Sequence, residues 1–537
     1  MRKYFISVII IVALSFMACG DYLDQVPEKD VETFESIFER RASADIWLTQ
    51  ATEFMAGVSF SGFGSNAGVV GADEFVTGNY IRDNNTAKLF NIADGLQMSQ
   101  DPLGNIWTTT YYSIRMLNTF ISNIDNVYDL TAAEKRNWKA EAIAVKAFYY
   151  FELVRRYGPI VLVPKNIDVN ADLGEMQIPR SHVDTCFNEI VRLLDEAIPD
   201  LLYGKERLIS HKLFLSKEGA MALKARVLLY QASPLFNGNA FYSDFKNKNG
   251  ELLFNSTYDR NKWLLAAEAA DKAAEMCEDG GRALVSGATG KKTDLLNKMA
   301  DIENMSFSRF NNSEYLLEWK YPSTFYQFIL PRLVGDDDNF DSQALGCLSP
   351  SMKMVEMYYT ANGLPIDADI TWNYSNRYKL ASESSPVYEG VVPMNIDVVN
   401  LHLRREPRFY ACIAGDRMYW QRGTNTADKD YNFLVKAHKG EEPWGTQYDF
   451  IVSNSWQNIN GYWLKKHLFS WFQTLGYSNN LQGNETAAII RLAEVYLMQS
   501  EAWNEYLDQP DTRVYDPIDK VRERAGILPV REAWGSY

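Results

Sequence analysis

The sequence predicts a mainly α-helical protein in which a loop-rich region interrupts a helical scaffold. Apolar residues recur at helical spacing in several long segments before residue 300 and again after residue 485. Between residues 301 and 484 this periodicity gives way to turn dipeptides and short strand-like runs. We therefore expect a helical scaffold over about 30–300 and 485–526, and a loop-rich, mixed α/β insertion over about 301–484.

The segment 131–157 predicts the clearest helix. Thr131 and Glu134 have the spacing of a capping box, and Gly158-Pro159 predicts the end of the helix. Two apolar stripes run along the segment, one of them rich in alanine, which indicates a helix packed between two neighbours. Further helices are predicted over 216–232, 260–277, 485–505 and 516–525. Large and small residues alternate on paired helices, which predicts degenerate tetratricopeptide-like hairpins in an α-superhelix.

The insertion predicts short strands over 315–319 and 409–413, set among turns such as Asn460-Gly461. Loops on a rigid frame are where binding usually occurs, so we expect the binding site to lie in this insertion.

After the insertion, Arg491 and Glu494 lie one helical turn apart and predict a structural ion pair.

The first residues predict a lipoprotein signal peptide over 1–18. Arg2 and Lys3 precede an apolar run over 6–18, which is shorter than the roughly 20 residues that a membrane-spanning helix needs. Cys19 follows the small residue Ala18, which predicts removal of the leader and acylation of the thiol. The mature chain 19–537 is then a single domain, anchored on a membrane without crossing it.

Composition narrows the classes of partner. The net charge of −15 argues against nucleic acid, because affinity for that polyanion comes mostly from cationic contacts. Aromatic residues make up 13% of the chain, and flat aromatic faces suit stacking on sugar rings. The other cysteines are far apart and form no C-x-x-C motif; we expect four buried thiols, with two disulfides as the alternative.

No motif indicates catalysis or a cofactor. The five histidines form no HExxH, and there is no G-x-S-x-G elbow. Asp337, Asn339 and Asp341 begin like a calcium loop, but Ser342 and Leu348 replace its glycine and glutamate. We therefore expect a non-catalytic protein with no cofactor and no metal site, with a structural calcium as the open alternative.

Several segments, in this order, resemble the SusD/RagB family of outer-membrane lipoproteins. The matching segments are 19–24 with Pro27, Trp107 with Tyr111, Ile114 and Asn118, 140–159, 220–230, 358–365, 405–408, 461–466, 491–498 with Glu501-Ala502, and 521–526. Glu406 is a departure, because the family often has aspartate there. Together these segments span nearly the whole mature chain.

The resemblance implies a tetratricopeptide-like superhelix with an irregular second half, on the extracellular face of the outer membrane. It implies a SusC-like TonB-dependent transporter as partner and an oligosaccharide as ligand, captured without cleavage. Two alternatives remain open: a peptide-capturing, RagB-like lipoprotein of the same architecture, and a secreted hydrolase.

The resemblance also implies a binding face built from two segments. Aromatic side chains would stack on the ligand, and amide or guanidinium groups would hydrogen-bond to it. The first segment, 73–85, offers Asn79, Tyr80, Arg82, Asn84 and Asn85. The second follows the strand that ends at Trp319 and offers Tyr321, Phe325, Tyr326 and Phe328. Alternative ligand contacts are Trp372, Tyr374, Trp420, Trp444 and Trp456, which lie beside polar or turn residues.

Overall fold

The structure, a computed structural model, describes residues 37–55, 67–78, 82, 88–168, 170–207, 211, 214–306, 312–320, 328–329, 346–421, 433–438, 441, 458–468 and 486–535. Helices before the insertion are α1 (Arg41–Thr52), α2 (Ala67–Val70), α3 (Phe90–Ala93), α4 (Trp107–Asn123), α5 (Ala132–Tyr157), α6 (Leu173–Met176), α7 (Val183–Ala197), α8 (Lys217–Ala232), α9 (Asn261–Asp279) and α10 (Asp294–Ser306). Later helices are α11 (Met352–Met357), α12 (Pro407–Cys412), α13 (Leu492–Tyr506), α14 (Thr512–Arg524) and α15 (Val530–Gly535). The mainly α class is confirmed.

The strands are short and pair two by two. They are β1 (Phe75–Val76), β2 (Tyr315–Lys320), β3 (Ser349–Pro350), β4 (Leu380–Ser382), β5 (Asp397–Val399), β6 (Ile413–Ala414), β7 (Tyr419–Trp420), β8 (Phe433–Leu434), β9 (Trp463–Leu464) and β10 (Thr486–Arg491). Each pair is antiparallel: β1 with β3, β2 with β10, β4 with β5, β6 with β9, and β7 with β8.

The long helices stack in chain order. Contacts run from α4 to α5, α7, α8 and α9 in succession, and α9 then packs against α13, which packs against α14. Stacked hairpins of this kind bury a continuous core between neighbours, as in tetratricopeptide arrays. The predicted tetratricopeptide-like helical scaffold is therefore confirmed, and α13 and α14, which follow residue 491, pack on its earlier helices.

The central helix, α5, ends where the sequence predicts. The Thr131 hydroxyl accepts from the Glu134 N–H, and the Glu134 carboxylate accepts from the Thr131 N–H at 2.9 Å, which completes the capping box. At the other end Gly158 adopts a φ of +68°, which a residue with a side chain rarely adopts. Residues on both predicted stripes are buried, so α5 lies between neighbours along its length.

A second hydrophobic core lies under the insertion. It contains side chains from residues 295–462, including Phe409, Tyr410 and Tyr462. Helix α10 contributes Leu295 and Ile302 to this second core, although it begins before residue 301, where the insertion is predicted to start. The scaffold core also takes in Leu316 and Leu317 of β2, so the two regions meet at that strand.

Strands β2 and β10 connect the two halves of the scaffold. Tyr315 pairs with Arg491 and Lys320 with Thr486, so the chain enters the insertion on one strand and leaves on its neighbour. Helix α8 packs closely on this pair at Gly219, where an added Cβ would lie 2.5 Å from the Leu316 carbonyl oxygen. A larger residue at Gly219 would push the strand off the helix.

Glu314, fully buried immediately before β2, joins four segments. Its carboxylate lies 2.5 Å from Arg491 of β10 and 2.7 Å from Arg524 of α14, and it accepts from the Val285 N–H at 3.1 Å. Its carbonyl accepts from the Leu492 N–H at the start of α13. One buried carboxylate therefore fixes the two ends of the insertion against the last helices.

The predicted helix over 485–505 is wrong in its first part. Residues 486–491 form β10, and the helix begins only at Leu492. The run contains Thr486, Ile489 and Ile490, whose β-branched side chains suit a strand, and pairing with β2 decides between the two structures.

The predicted Arg491–Glu494 pair is wrong for the same reason. Arg491 lies on the strand and binds Glu314. Glu494 instead makes a two-pronged pair with Arg226 of α8, at 2.5 and 2.6 Å. Both side chains have structural roles, as expected, but their partners come from distant parts of the chain.

Two further elements differ from the predictions. The predicted strand over 409–413 is helix α12, which begins at Pro407, a residue favoured in the first turn of a helix. Only Ile413 of that run lies in a strand. The helix predicted over 516–525 begins earlier, at Thr512, and is followed by α15.

Cys186, Cys277, Cys347 and Cys412 are free and buried, as predicted. Burial raises the pKa of the Cys186 thiol to about 11, so this group is protonated and unreactive at neutral pH. Within the described ranges, no helix combines the length and apolar character needed to cross a bilayer.

We predict that Glu314→Gln lowers the free energy of unfolding by about 3–5 kcal/mol, because Arg491 and Arg524 then lose their buried countercharge. Denaturant unfolding measures the change. The matched control is Glu275→Gln, which removes an exposed pair with Lys272 and should cost at most about 0.5 kcal/mol. Equal stability of the two variants would contradict the role assigned to Glu314.

Candidate functional site

Most of the predicted ligand contacts lie outside the described residues. These are Asn79, Tyr80, Asn84, Asn85, Tyr321, Phe325 and Tyr326, together with the lipidation residue Cys19 and the alternatives Trp444 and Trp456. Arg82 and Phe328 are described, as are the residues that flank both predicted segments. Arg82, Phe328 and these neighbouring residues are therefore the parts of the two segments whose contacts the structure describes.

Arg82 is held against helix α3. Its guanidinium lies 2.6 Å from the Asp94 carboxylate and over the ring of Phe90, 5.3 Å from the ring centre. About a quarter of its side chain remains exposed. Arg82 is thus fixed in place by a countercharge and an aromatic face, and it keeps a solvent-facing part that could donate hydrogen bonds.

The flanks of the two predicted segments meet on neighbouring residues. Strand β1 pairs with β3, and the Thr77 hydroxyl just beyond β1 donates to the Cys347 carbonyl at 2.9 Å. The next N–H, that of Leu348, donates to the Phe328 carbonyl at 2.9 Å. Residues 347–348 are therefore hydrogen-bonded to both predicted segments, to Thr77 of the first and to Phe328 of the second.

A third segment joins them through a turn. The Asn460 side chain donates to the Pro350 carbonyl at 2.7 Å, and Ile459 lies against Gly78. Gly461 adopts a φ of +78°, which confirms the turn predicted at Asn460-Gly461. We call the assembly of residues 75–78, 328–329, 346–350 and 458–461 the β3 junction.

The sequence did not identify β3 itself. Residues 346–350 are too few to show a strand period, and Pro350 cannot donate to a ladder. Pro350 instead uses its carbonyl, and Ser349 is fully buried. The polar and aromatic residues of the two segments marked them as candidates for binding. The strand that brings the segments together has no comparable pattern in the sequence.

The alternative tryptophans are buried where they are described. Trp372 is 8% exposed and its indole N–H donates to the Leu403 carbonyl at 3.0 Å, while Trp420 is 5% exposed. Burial of both rings argues against these two alternatives as ligand contacts. Tyr374 is half-buried, with the guanidinium of Arg377 over its ring.

One cluster of described side chains could bring ligand atoms to a metal ion. Oxygen or nitrogen atoms of Asp416, His438 and Glu441 all lie within 4.8 Å of one another. Arg417 already binds both carboxylates, at 2.8 Å from Glu441 and 3.3 Å from Asp416, and this hydrogen bonding lowers the pKa of Glu441. A cation would have to compete with that guanidinium. The predicted calcium-loop residues Asp337, Asn339 and Asp341 lie outside the described ranges.

A groove of about 530 Å³ runs between helices α7, α8 and α9. Val191, Met221 and Leu265 are among its apolar lining residues. Charged side chains also line it, among them Lys262 and Asp184, whose atoms lie 2.6 Å apart. The described residues that line the groove belong to the scaffold and include none of the predicted ligand contacts.

Comparison with known families gives matches over most of the chain. The family described as "SusD family" matches residues 305–536. The family described as "Starch-binding associating with outer membrane" matches residues 21–229. No curated protein matches this chain.

Solved structures share the fold at low sequence identity. The protein BT4246 is 24% identical with a TM-score of 0.75, over 92% of this chain and 83% of its own. A SusD-like protein from Bacteroides fragilis is 17% identical with a TM-score of 0.64, over 92% and 80%. A SusD-like carbohydrate binding protein from the same organism is 16% identical with a TM-score of 0.60, over 92% and 80%.

Proposed function

The chain belongs to the SusD family, and from this premise we propose that it is a cell-surface lipoprotein that captures glycans. It would bind oligosaccharides outside the outer membrane and deliver them to a SusC-like TonB-dependent transporter. Two comparisons support this class of ligand: the matching family is described as starch-binding, and one structural relative is named a carbohydrate binding protein.

The observation that carries the proposal is the β3 junction. Thr77 of the first predicted segment and Phe328 of the second contact the adjacent residues Cys347 and Leu348. The described ends of the two segments are therefore joined at residues 347–348, and we propose that the ligand contacts of both segments form one site. Binding pockets combine apolar faces with a few convergent polar groups, and these two segments supply both kinds.

Sugar recognition suits the chemistry of these segments. Aromatic rings stack on the C–H faces of a sugar and lose few rotamers on binding, because a tyrosine has only two side-chain torsions. Asparagine and arginine side chains add directional hydrogen bonds to hydroxyl groups. With a net charge of −15, the chain is better matched to neutral glycans than to acidic ones.

The remaining parts of the proposal rest on the family. The helical scaffold would face the transporter, since stacked helix hairpins present broad surfaces. The lipid on Cys19 would anchor the protein on the extracellular face of the outer membrane. We propose that the protein releases its ligand unchanged and uses no cofactor.

The α7–α9 groove favours one alternative, capture of peptides. Its apolar floor beside charged side chains is the mixture that a peptide backbone and its side chains require. In that case peptides would contact Leu265 and Lys262 and would not bind at the β3 junction. The two functions therefore predict binding at different surfaces.

We predict that replacing Tyr321 and Tyr326 by alanine weakens glycan binding about tenfold or more, since each aromatic contact contributes about 0.5–1.5 kcal/mol beyond its buried area. Calorimetry measures the affinity and thermal unfolding checks the fold. The control is Tyr128→Ala, which removes a 68% exposed ring from the scaffold and should leave binding unchanged. Unchanged affinity in the double variant would place the site elsewhere.

We predict that Cys19→Ala yields protein without lipid that is released from the membrane, because the acylated thiol is its only proposed anchor. Membrane fractionation with mass spectrometry of the N-terminus measures both effects. A variant that stays in the membrane fraction without acylation would overturn the lipid-anchor assignment.

A further inference from the structure

A cluster on the insertion holds one tyrosine ring rigid and exposed. The guanidinium of Arg377 lies between two rings, 4.1 Å from the centre of Tyr374 and 4.3 Å from that of Tyr378. Arg377 also donates to the Glu356 carboxylate of α11 at 2.8 Å, and the Tyr378 hydroxyl donates to the same oxygen. Tyr378 is nevertheless 56% exposed.

The backbone around this ring is fixed as well. The Arg377 carbonyl accepts from the Leu401 N–H and the Lys379 carbonyl from the Asn400 N–H, both at 2.8 Å. These bonds lie on either side of Tyr378 in sequence. Ring, hydroxyl and backbone are therefore all held before any ligand arrives, which lowers the entropy that binding would cost.

A purely structural role, in which the cluster holds segments of the insertion together, does not explain why the Tyr378 ring is exposed. Arg405, 1% exposed, already ties the same segments together by donating to the carbonyls of Val355, Tyr358 and Leu401. A structural clamp of that kind is buried. Tyr378 instead turns one face to Arg377 and keeps the remainder of its ring in solvent.

The surroundings indicate what would bind. Although partial burial acts to raise it, the pKa of Glu356 is lowered by the hydrogen bonds from Tyr378 and Arg377, so carboxylate and guanidinium stay paired and neutralise each other. Exposed apolar side chains lie beside the cluster in sequence, namely Leu380 at 67% and Met357 at 60%. An exposed aromatic ring whose supporting charges are paired with each other, beside apolar groups, suits the C–H face of a neutral sugar.

We propose that Tyr378, supported by Arg377, Tyr374 and Glu356, is a second sugar-binding platform that stacks on a neutral pyranose unit of the captured glycan. This inference rests on the proposed function and adds a second site to it. Helix α11 starts two residues after the end of β3, so Glu356 lies only six residues along the chain from Pro350 of the β3 junction. One polysaccharide chain could thus engage both sites, and linked contacts raise the apparent affinity.

The test compares long and short ligands. The probes are starch, mannan, galactan, xylan and β-glucan, and the trisaccharide of whichever polysaccharide binds. We expect Tyr378→Ala in the mature chain to weaken binding of the polysaccharide about tenfold and to leave the trisaccharide at the β3 junction unaffected. Tyr378→Phe keeps the ring and should retain most of the affinity, while thermal unfolding shows that both variants are folded.

Each outcome bears on a different claim. If Tyr378→Ala binds the polysaccharide as tightly as the wild type while the Tyr321 and Tyr326 double variant does not, the second platform is wrong and the proposed function stands. If Tyr378→Ala weakens polysaccharide and trisaccharide equally, Tyr378 belongs to a single site and the second platform is again wrong. If the wild-type chain binds none of the five polysaccharides, both proposals fail together.

Discussion

One buried carboxylate holds together the two ends of the insertion that interrupts the helical scaffold. Glu314 sits where the insertion begins, and its partners Arg491 and Arg524 come from the strand and the helix that follow the insertion. Since an unpaired buried charge is costly, the two ends of the insertion must meet for the scaffold to form. The β2–β10 pair and the close approach at Gly219 complete the same connection.

This connection has consequences for binding. A long insertion anchored at both ends on packed helices can form its own core, here built around Phe409 and Tyr410, and hold loops in a fixed relation to one another. Residues 347–350 then bring together two segments of the insertion, 328–329 and 458–461, and the earlier segment 75–78, through hydrogen bonds of Thr77, Leu348 and Asn460. The proposed glycan site depends on that arrangement more than on any one aromatic residue.

Local signals in the sequence predicted the scaffold well, but they did not predict the contacts between distant segments. The capping box at Thr131 and the apolar stripes of α5 act within one helix, so a short window contains all the information. Residues 486–491 and 409–412 were misassigned, because strand pairing decided the first run and a helix that begins at Pro407 decided the second. Trp372 is predicted as an alternative ligand contact because it lies beside turn residues, yet the fold buries it. The Tyr378 platform depends on Glu356, more than twenty residues away.

The central claim is that this protein captures a glycan and releases it intact. The most direct measurement is a glycan-array screen of the soluble mature chain, residues 20–537, with calorimetry on each hit and chromatography of the ligand afterwards. The account predicts saturable binding to one class of polysaccharide with no shorter products. Shorter products would indicate a hydrolase, and binding to peptides but to no glycan would contradict the account in favour of peptide capture.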